Sequence, residues 1–91
     1  MSEAIRRRAV VRGQVQGVFF RDTCCRLAQE AGVAGSVRNE PNGTVLAVFE
    51  GDPDAVRRMV DWCRTGPPSA RVDGVDATDE QPTGETGFAV C

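Results

Sequence analysis

The stretch GSVRNEPNGTVLAVFE, Gly35 to Glu50, decides the architecture. Pro41-Asn42-Gly43 is a tight-turn signal between two runs of strand-forming residues, so the segment reads as a hairpin with strands over 35–39 and 44–50. The second run is apolar at both parities, as a central strand covered at least partly on both faces must be. Upstream, IRRRAVVR (5–12) is another β-branched run that stops at Gly13, and residues 21–31 set Cys24, Leu27, Ala28 and Ala31 on one helical stripe closed by Gly32. Downstream, Asp52-Pro53 offers an N-cap with proline at N1. Val56, Met59, Val60 and Cys63 then form a second stripe, ended by Gly66-Pro67-Pro68. ARVDGVDAT (70–78) reads as a fourth strand interrupted at Gly74. The polar loop DEQPTGETG then leads to a short terminal strand, FAV (88–90).

The order β-α-β-β-α-β is the ferredoxin-like split βαβ pattern, an α+β fold with an antiparallel sheet and two helices on one face. The C-terminal strand would add an edge. The 91 residues make one domain, 1–91, with a single modest core. In this topology the third strand lies between the first two, whose C-terminal ends therefore meet at one sheet edge. Gly13 to Arg21 follow the first strand there, and Arg38 and Asn39 end the second.

Composition removes most catalytic classes. The chain has no His and no Tyr, and all 11 of its basic residues are Arg. Imidazole bases, His metal ligands, Schiff-base lysines and the lysine of nucleotide-hydrolase phosphate loops are all missing. A net charge of −2 and a pI near 5.0 leave no broad footprint for nucleic acid. Cys24, Cys25, Cys63 and Cys91 show no C-x-x-C spacing, and no cysteine has Arg six positions later, as cysteine phosphatases require. No metal and no cofactor are expected. The run after Arg6-Arg7-Arg8 is too short for a signal peptide or a membrane segment, so free thiols and a cytoplasmic location are expected.

GQVQGVFFR (13–21) poses the functional question, because a fixed cation at a helix start opposes the partial positive charge of the free N–H groups. A glycine loop, a helix N-terminus and Arg21 converging on one spot favour a bound anion, and a tetrahedral phosphate fits. Taken singly, each residue has a plainer reading. The two glycines suit a turn and a bulge, Arg21 and Arg38 a solvated surface, Asn39 a turn and Thr44 a strand. Phe19 and Phe20 are expected to pack beneath the loop, with a hydrophobic wall for a ligand as the functional rival.

Together these residues resemble the acylphosphatase family, small enzymes that hydrolyse carboxyl–phosphate anhydrides. The similarity runs through GQVQGVFFR, LAQEAGVAGSVRNEPNGTV (27–45), FEG (49–51) and GPPSARV (66–72). By that resemblance Arg21 is the catalytic phosphate-binding arginine and Asn39 places the attacking water. The backbone amides of Gln16, Gly17, Val18, Phe19 and Phe20 form a cradle, and Thr44 supports the asparagine. Ser36 stands where many members carry Trp, which implies altered packing. An acyl phosphate substrate, inorganic phosphate as product and inhibitor, and a monomer without nucleic-acid or membrane partners are the implied partners. The chemistry agrees with the residues present. The leaving carboxylate has a conjugate-acid pKa of about 4–5 and departs unprotonated, so no general acid is needed.

Three alternatives stand beside this reading. A ferredoxin-like RNA binder would display aromatics on its open sheet face, where Leu46 and Val48 are expected here. A non-catalytic small-ligand module would have no use for the Arg–Asn pair. The acylphosphatase-like domain of hydrogenase maturation proteins sits in much longer chains.

Overall fold

The computed structural model describes residues 3–90; Cys91, one of the four thiols, lies outside them. The elements follow in the order β1 (Ile5–Gln14), α1 (Phe20–Glu30), β2 (Ala34–Asn39), β3 (Val45–Gly51), α2 (Pro53–Cys63), β4 (Arg71–Glu80) and β5 (Phe88–Val90). They form one sheet in the order β4-β1-β3-β2-β5. β3 pairs antiparallel with β1 and β2, and β1 pairs antiparallel with β4. Only β5, added to the edge at β2, runs parallel to its neighbour. This is the ferredoxin-like arrangement expected.

Alternation along the strands builds the core. Ala9, Val11, Val37, Val45, Ala47 and Phe49 share one face of the sheet and join Phe20, Cys24 and Ala28 of α1 and Val56, Met59, Val60 and Cys63 of α2 in one buried cluster. Leu46 and Val48 are buried on the other face, with Arg38 and Arg8 as cross-strand neighbours. β3 is thus covered on both sides, as its unbroken apolar run requires. Phe88 stacks on Phe49 at a centroid distance of 5.8 Å, across the strand position occupied by Gly35. Cys24 and Cys63 are both fully buried. The neighbouring Cys63 thiol, with burial, drives the Cys24 thiol pKa upward.

β1, β4 and the α1 stripe differ from the sequence expectation, and β2 and β3 differ from it by one residue. β1 does not stop at Gly13 but bulges there: Arg12 pairs with Gly74 and Gly13 with Val72, so Asp73 is the extra residue and β4 continues. A Cβ at Gly13 would run into the Arg71 carbonyl, which is why this position carries none. β4 extends to Glu80 because Arg6 pairs with it, Nε to Oε1 at 3.1 Å. In α1 the buried stripe is Phe20, Cys24 and Ala28, with Leu27 only partly covered. Ala31 is the exposed C-cap. α2 begins as expected, with Asp52 accepting from the N–H groups of Asp54 and Ala55.

One charged residue is buried among these apolar groups. The Glu50 carboxylate, 5% exposed, stands next to the end of β3 and accepts from the backbone N–H of Thr83 (2.9 Å), Gly84 (2.8 Å) and Glu85 (3.2 Å), and from Arg6 Nη1 (3.0 Å). These bonds, led by the Thr83 N–H, hold its pKa down at about 2 against the opposing effect of burial. The loop between β4 and β5 is thereby tied to the sheet, and β5 with it. Because the folded pKa lies below the unfolded one, Glu50 stabilises the fold above about pH 4.5. That contribution is lost as the pH falls toward about 2. Glu50→Gln should therefore melt below the parent at pH 7, with the gap narrowing through this window. A gap in melting temperature that stays constant from pH 7 to pH 2 would show that the charge does not hold the loop.

Candidate active site

The loop from β1 to α1 is built to leave N–H groups unused. Gly17 (φ +72°) and Phe19 (φ +64°) are left-handed on either side of Val18. Alternation of backbone hand turns successive N–H groups toward a common centre. Among the described residues no group accepts from the N–H groups of Gln16 to Phe20, and the first helical bond is Thr23 N–H to the Phe19 carbonyl at 3.1 Å. Phe19 is the N-cap of α1 and has no side chain that can accept, so the helix start is uncapped. The contrast with α2, where Asp52 fills this place, is direct.

Four contacts hold the loop. Phe20 is buried with its ring 5.0 Å from that of Trp62. Gly66 lies so close beneath it that an added Cβ would come within 3.0 Å of the Phe20 ring. Ser69 Oγ donates to the Val18 carbonyl at 2.6 Å, and Gln16 Nε2 donates to the carbonyls of Glu40 (2.7 Å) and Thr44 (2.9 Å). The Gln16 side chain thereby joins the loop to the β2–β3 turn, which brings the end of β2 to the start of α1.

A pocket of about 200 Å³ lies where they meet, lined by Val15, Gly17, Phe19, Phe20, Arg21, Asp22 and Asn39. Nine other arginines have a carboxylate oxygen at 2.8 to 3.7 Å; Arg21, half-buried, has no such partner among the described residues. Asn39 pairs with Val45 across the hairpin and so faces the helices. Its Oδ1 is buried without a hydrogen-bond partner. No described residue accepts from its Nδ2 either. An unpaired buried amide oxygen is costly, on the order of 1–3 kcal/mol, and this one lies on a residue of the pocket wall.

Arg21, Asn39, Gly17, Phe19 and Phe20 are thus brought together as the sequence suggested. Gln16 and Val18 do not line the pocket; their side chains serve as strut and partly buried anchor. Thr44 lies apart. Val45 shares the face of Asn39, so Thr44 turns to the opposite face, and its hydroxyl donates to Asn42 Oδ1 at 2.7 Å rather than to Asn39. Its link to the site is its carbonyl, through Gln16. Phe19 does not pack beneath the loop; it is 71% exposed, while Phe20 alone goes inward. Val15, Asp22, Trp62 and Ser69 escaped the sequence reading. Ser69 did have a signal, since it lies within GPPSARV.

The acylphosphatase family model matches residues 7–90. The chain belongs to the acylphosphatase family. An acylphosphatase of Gloeobacter violaceus is 52% identical over 90 residues, which cover 99% of this chain and 97% of the relative. The crystal structure of an acylphosphatase from Bacillus subtilis superposes with a TM-score of 0.91 at 30% identity, over 96% of this chain and 98% of that one. The structure of an acylphosphatase from Coxiella burnetii superposes with a TM-score of 0.92 at 32% identity, over 97% and 93%. The similarity spans the pocket and both helices, so the fold and the loop are features of this acylphosphatase as a whole.

Gln16→Ala removes two side-chain-to-carbonyl bonds worth about 1–2 kcal/mol together. At roughly 4–8 °C per kcal/mol for a domain of this size, calorimetry should show a clearly lower melting temperature. An unchanged melting temperature would mean that this side chain does not tie loop to hairpin.

Proposed function

We propose that this acylphosphatase hydrolyses acyl phosphates by in-line attack of a water held by Asn39 on a phosphoryl group gripped by Arg21 and by the loop N–H groups from Gln16 to Phe20. The observation that carries the proposal is that one pocket, at an uncapped helix start, is lined by an arginine without a carboxylate partner and an asparagine whose amide is unengaged.

The chemistry follows from these groups. The phosphoryl group passes through a loose transition state with charge on its equatorial oxygens, where preorganised N–H groups and a fixed cation stabilise it. The Arg21 guanidinium donates in a planar fork suited to phosphate. Asn39 is no base. Its amide, unanchored at either end, turns about its terminal torsion to present the oxygen to the pocket, where it accepts from a water and orients it. The water's proton goes to a phosphate oxygen of the substrate, and the carboxylate leaves without protonation. No step needs a metal or a cofactor.

Inorganic phosphate, the product, fits the same cradle and acts as a competitive inhibitor in this reading. Cys24, Cys25 and Cys63 are free thiols, which supports a reducing cytoplasm. Among the described residues no helix is long and apolar enough to cross a membrane. The pocket is complete within one chain, which supports a monomer, and the open sheet face carries no aromatic ladder for RNA.

Hydrolysis of a simple acyl phosphate should continue undiminished after extensive chelation, with little action on phosphate monoesters. Activity abolished by chelation and restored by a divalent ion would contradict the mechanism.

Phosphate should also raise the melting temperature, since a ligand at 100 times its dissociation constant adds ~2.7 kcal/mol when it binds only the folded state. Arg21→Ala should weaken phosphate binding and lower turnover together, the latter by at least roughly 10²–10³-fold. Parental phosphate affinity in folded Arg21→Ala would remove the arginine from the cradle.

A further inference from the structure

The segment between α2 and β4 touches the phosphate loop and the start of α1 at two points. Gly66, left-handed at φ +69°, lies against the Phe20 ring, and the Ser69 hydroxyl donates to the Val18 carbonyl at 2.6 Å. The segment is stiff. Gly66 N–H bonds to the Trp62 carbonyl at 2.8 Å, which ties it to the end of α2. Ala70 N–H bonds to the Pro67 carbonyl at 2.9 Å and closes a tight turn with Pro68 at its second position, where proline presets the backbone. Ser69 is the third residue of that turn, exposed and outside the core. Among the described residues its hydroxyl donates to the Val18 carbonyl alone.

That bond holds one end of a peptide unit. The Val18 carbonyl and the Phe19 N–H belong to the same planar trans unit and point in opposite directions. Neither Val18 nor Ser69 lines the pocket, whereas Phe19 does. Drawing the carbonyl to Ser69 takes it away from the pocket and turns the Phe19 N–H, which has no acceptor among the described residues, toward it. The backbone pulls the other way. Phe19 holds φ +64°, a left-handed value disfavoured for a bulky residue. Turning the Val18–Phe19 peptide over returns that φ to the ordinary negative side. It also puts the carbonyl oxygen, with its partial negative charge, where the N–H stood. The relaxed loop is thus the one that repels an anion at this position.

We infer that Ser69 is a positioning residue: its hydrogen bond to the Val18 carbonyl keeps the Phe19 N–H directed into the cradle. The inference rests on the reading of the loop as a phosphoryl cradle. Without the bond the peptide turns over in part of the molecules, and apparent phosphate affinity falls with the fraction that remains competent. One ordinary hydrogen bond shifts such an equilibrium by roughly 2- to 10-fold.

The test follows the Phe19 amide resonance and acetyl phosphate turnover in the parent, Ser69→Ala and Ser69→Thr, each well below its melting temperature. In the parent, inorganic phosphate should move the Phe19 amide resonance, because the N–H gains an acceptor. In Ser69→Ala that response should shrink, phosphate should bind roughly 2- to 10-fold more weakly, and kcat/KM should fall by at least that factor. Ser69→Thr keeps the hydroxyl and should bring all three back toward the parent. A bond that only braced the loop would lower the melting temperature of Ser69→Ala and leave the phosphate response and kcat/KM at parental values. That result would overturn the assignment, as would a parent Phe19 resonance that phosphate leaves unmoved. A parent that binds phosphate yet hydrolyses no acetyl phosphate would instead overturn the hydrolase reading, with the Phe19 resonance still deciding the role of Ser69.

Discussion

Phe20 enters the core at the first residue of α1, 1% exposed, with Trp62 of α2 at 5.0 Å and Gly66 close against its ring. This contact sets the direction of α1 and the position of its first turn. With Phe20 turned inward, Arg21 falls at the second helical position, half-buried and beside the uncapped N–H groups. The loop before it must then close from the end of β1 in a few residues, which requires left-handed backbone at Gly17 and Phe19. Gln16 and Ser69 tie the closed loop to the β2–β3 turn and to the segment before β4. The position of Asn39 relative to Arg21 follows from this closure together with the β2–β3 register.

The molecule uses clustered backbone N–H groups in three ways. At the start of α2 they are satisfied by Asp52, from within the chain. In the loop before β5, three successive N–H groups close on the buried carboxylate of Glu50. At the start of α1 they are left without an acceptor, and Arg21 adds a cation beside them. The first two cases show that this backbone can supply an internal anion when stability asks for one. In the proposed mechanism the third is an open site, held ready in advance. A chain without His and Lys can stabilise a phosphoryl transition state in this way, because preorganised donors need not rearrange as charge develops.

Much of this was legible in the sequence, where the determinants are local. The Pro41-Asn42-Gly43 turn, the doubly apolar third strand, the Asp52-Pro53 helix start and the α2 stripe all act over a few residues, and each formed as read. The convergence of Arg21 and Asn39 followed from topology alone. What escaped depends on distant partners or on backbone hand. Glu50 stands next to the end of an apolar strand as many surface residues do, and its ligands lie more than thirty positions on. Phe19 and Phe20 are the same residue type side by side, so hydropathy cannot tell which goes inward. The sign of φ at Phe19 decides it. Thr44 was misplaced for a simpler reason: one step of strand alternation from Val45 turns it away from Asn39. Gln16 contributes a side chain of the length that reaches two carbonyls across the hairpin, a fit that only the folded loop reveals.

In the proposed mechanism, binding the phosphoryl group and placing the water are carried by different residues in one pocket. Asn39→Ala separates them. Phosphate titration of the folded variant should give an affinity within a few-fold of the parent, because the cradle and Arg21 remain, while turnover of an acyl phosphate falls by roughly 10²-fold or more. Near-parental turnover in folded Asn39→Ala would contradict the account.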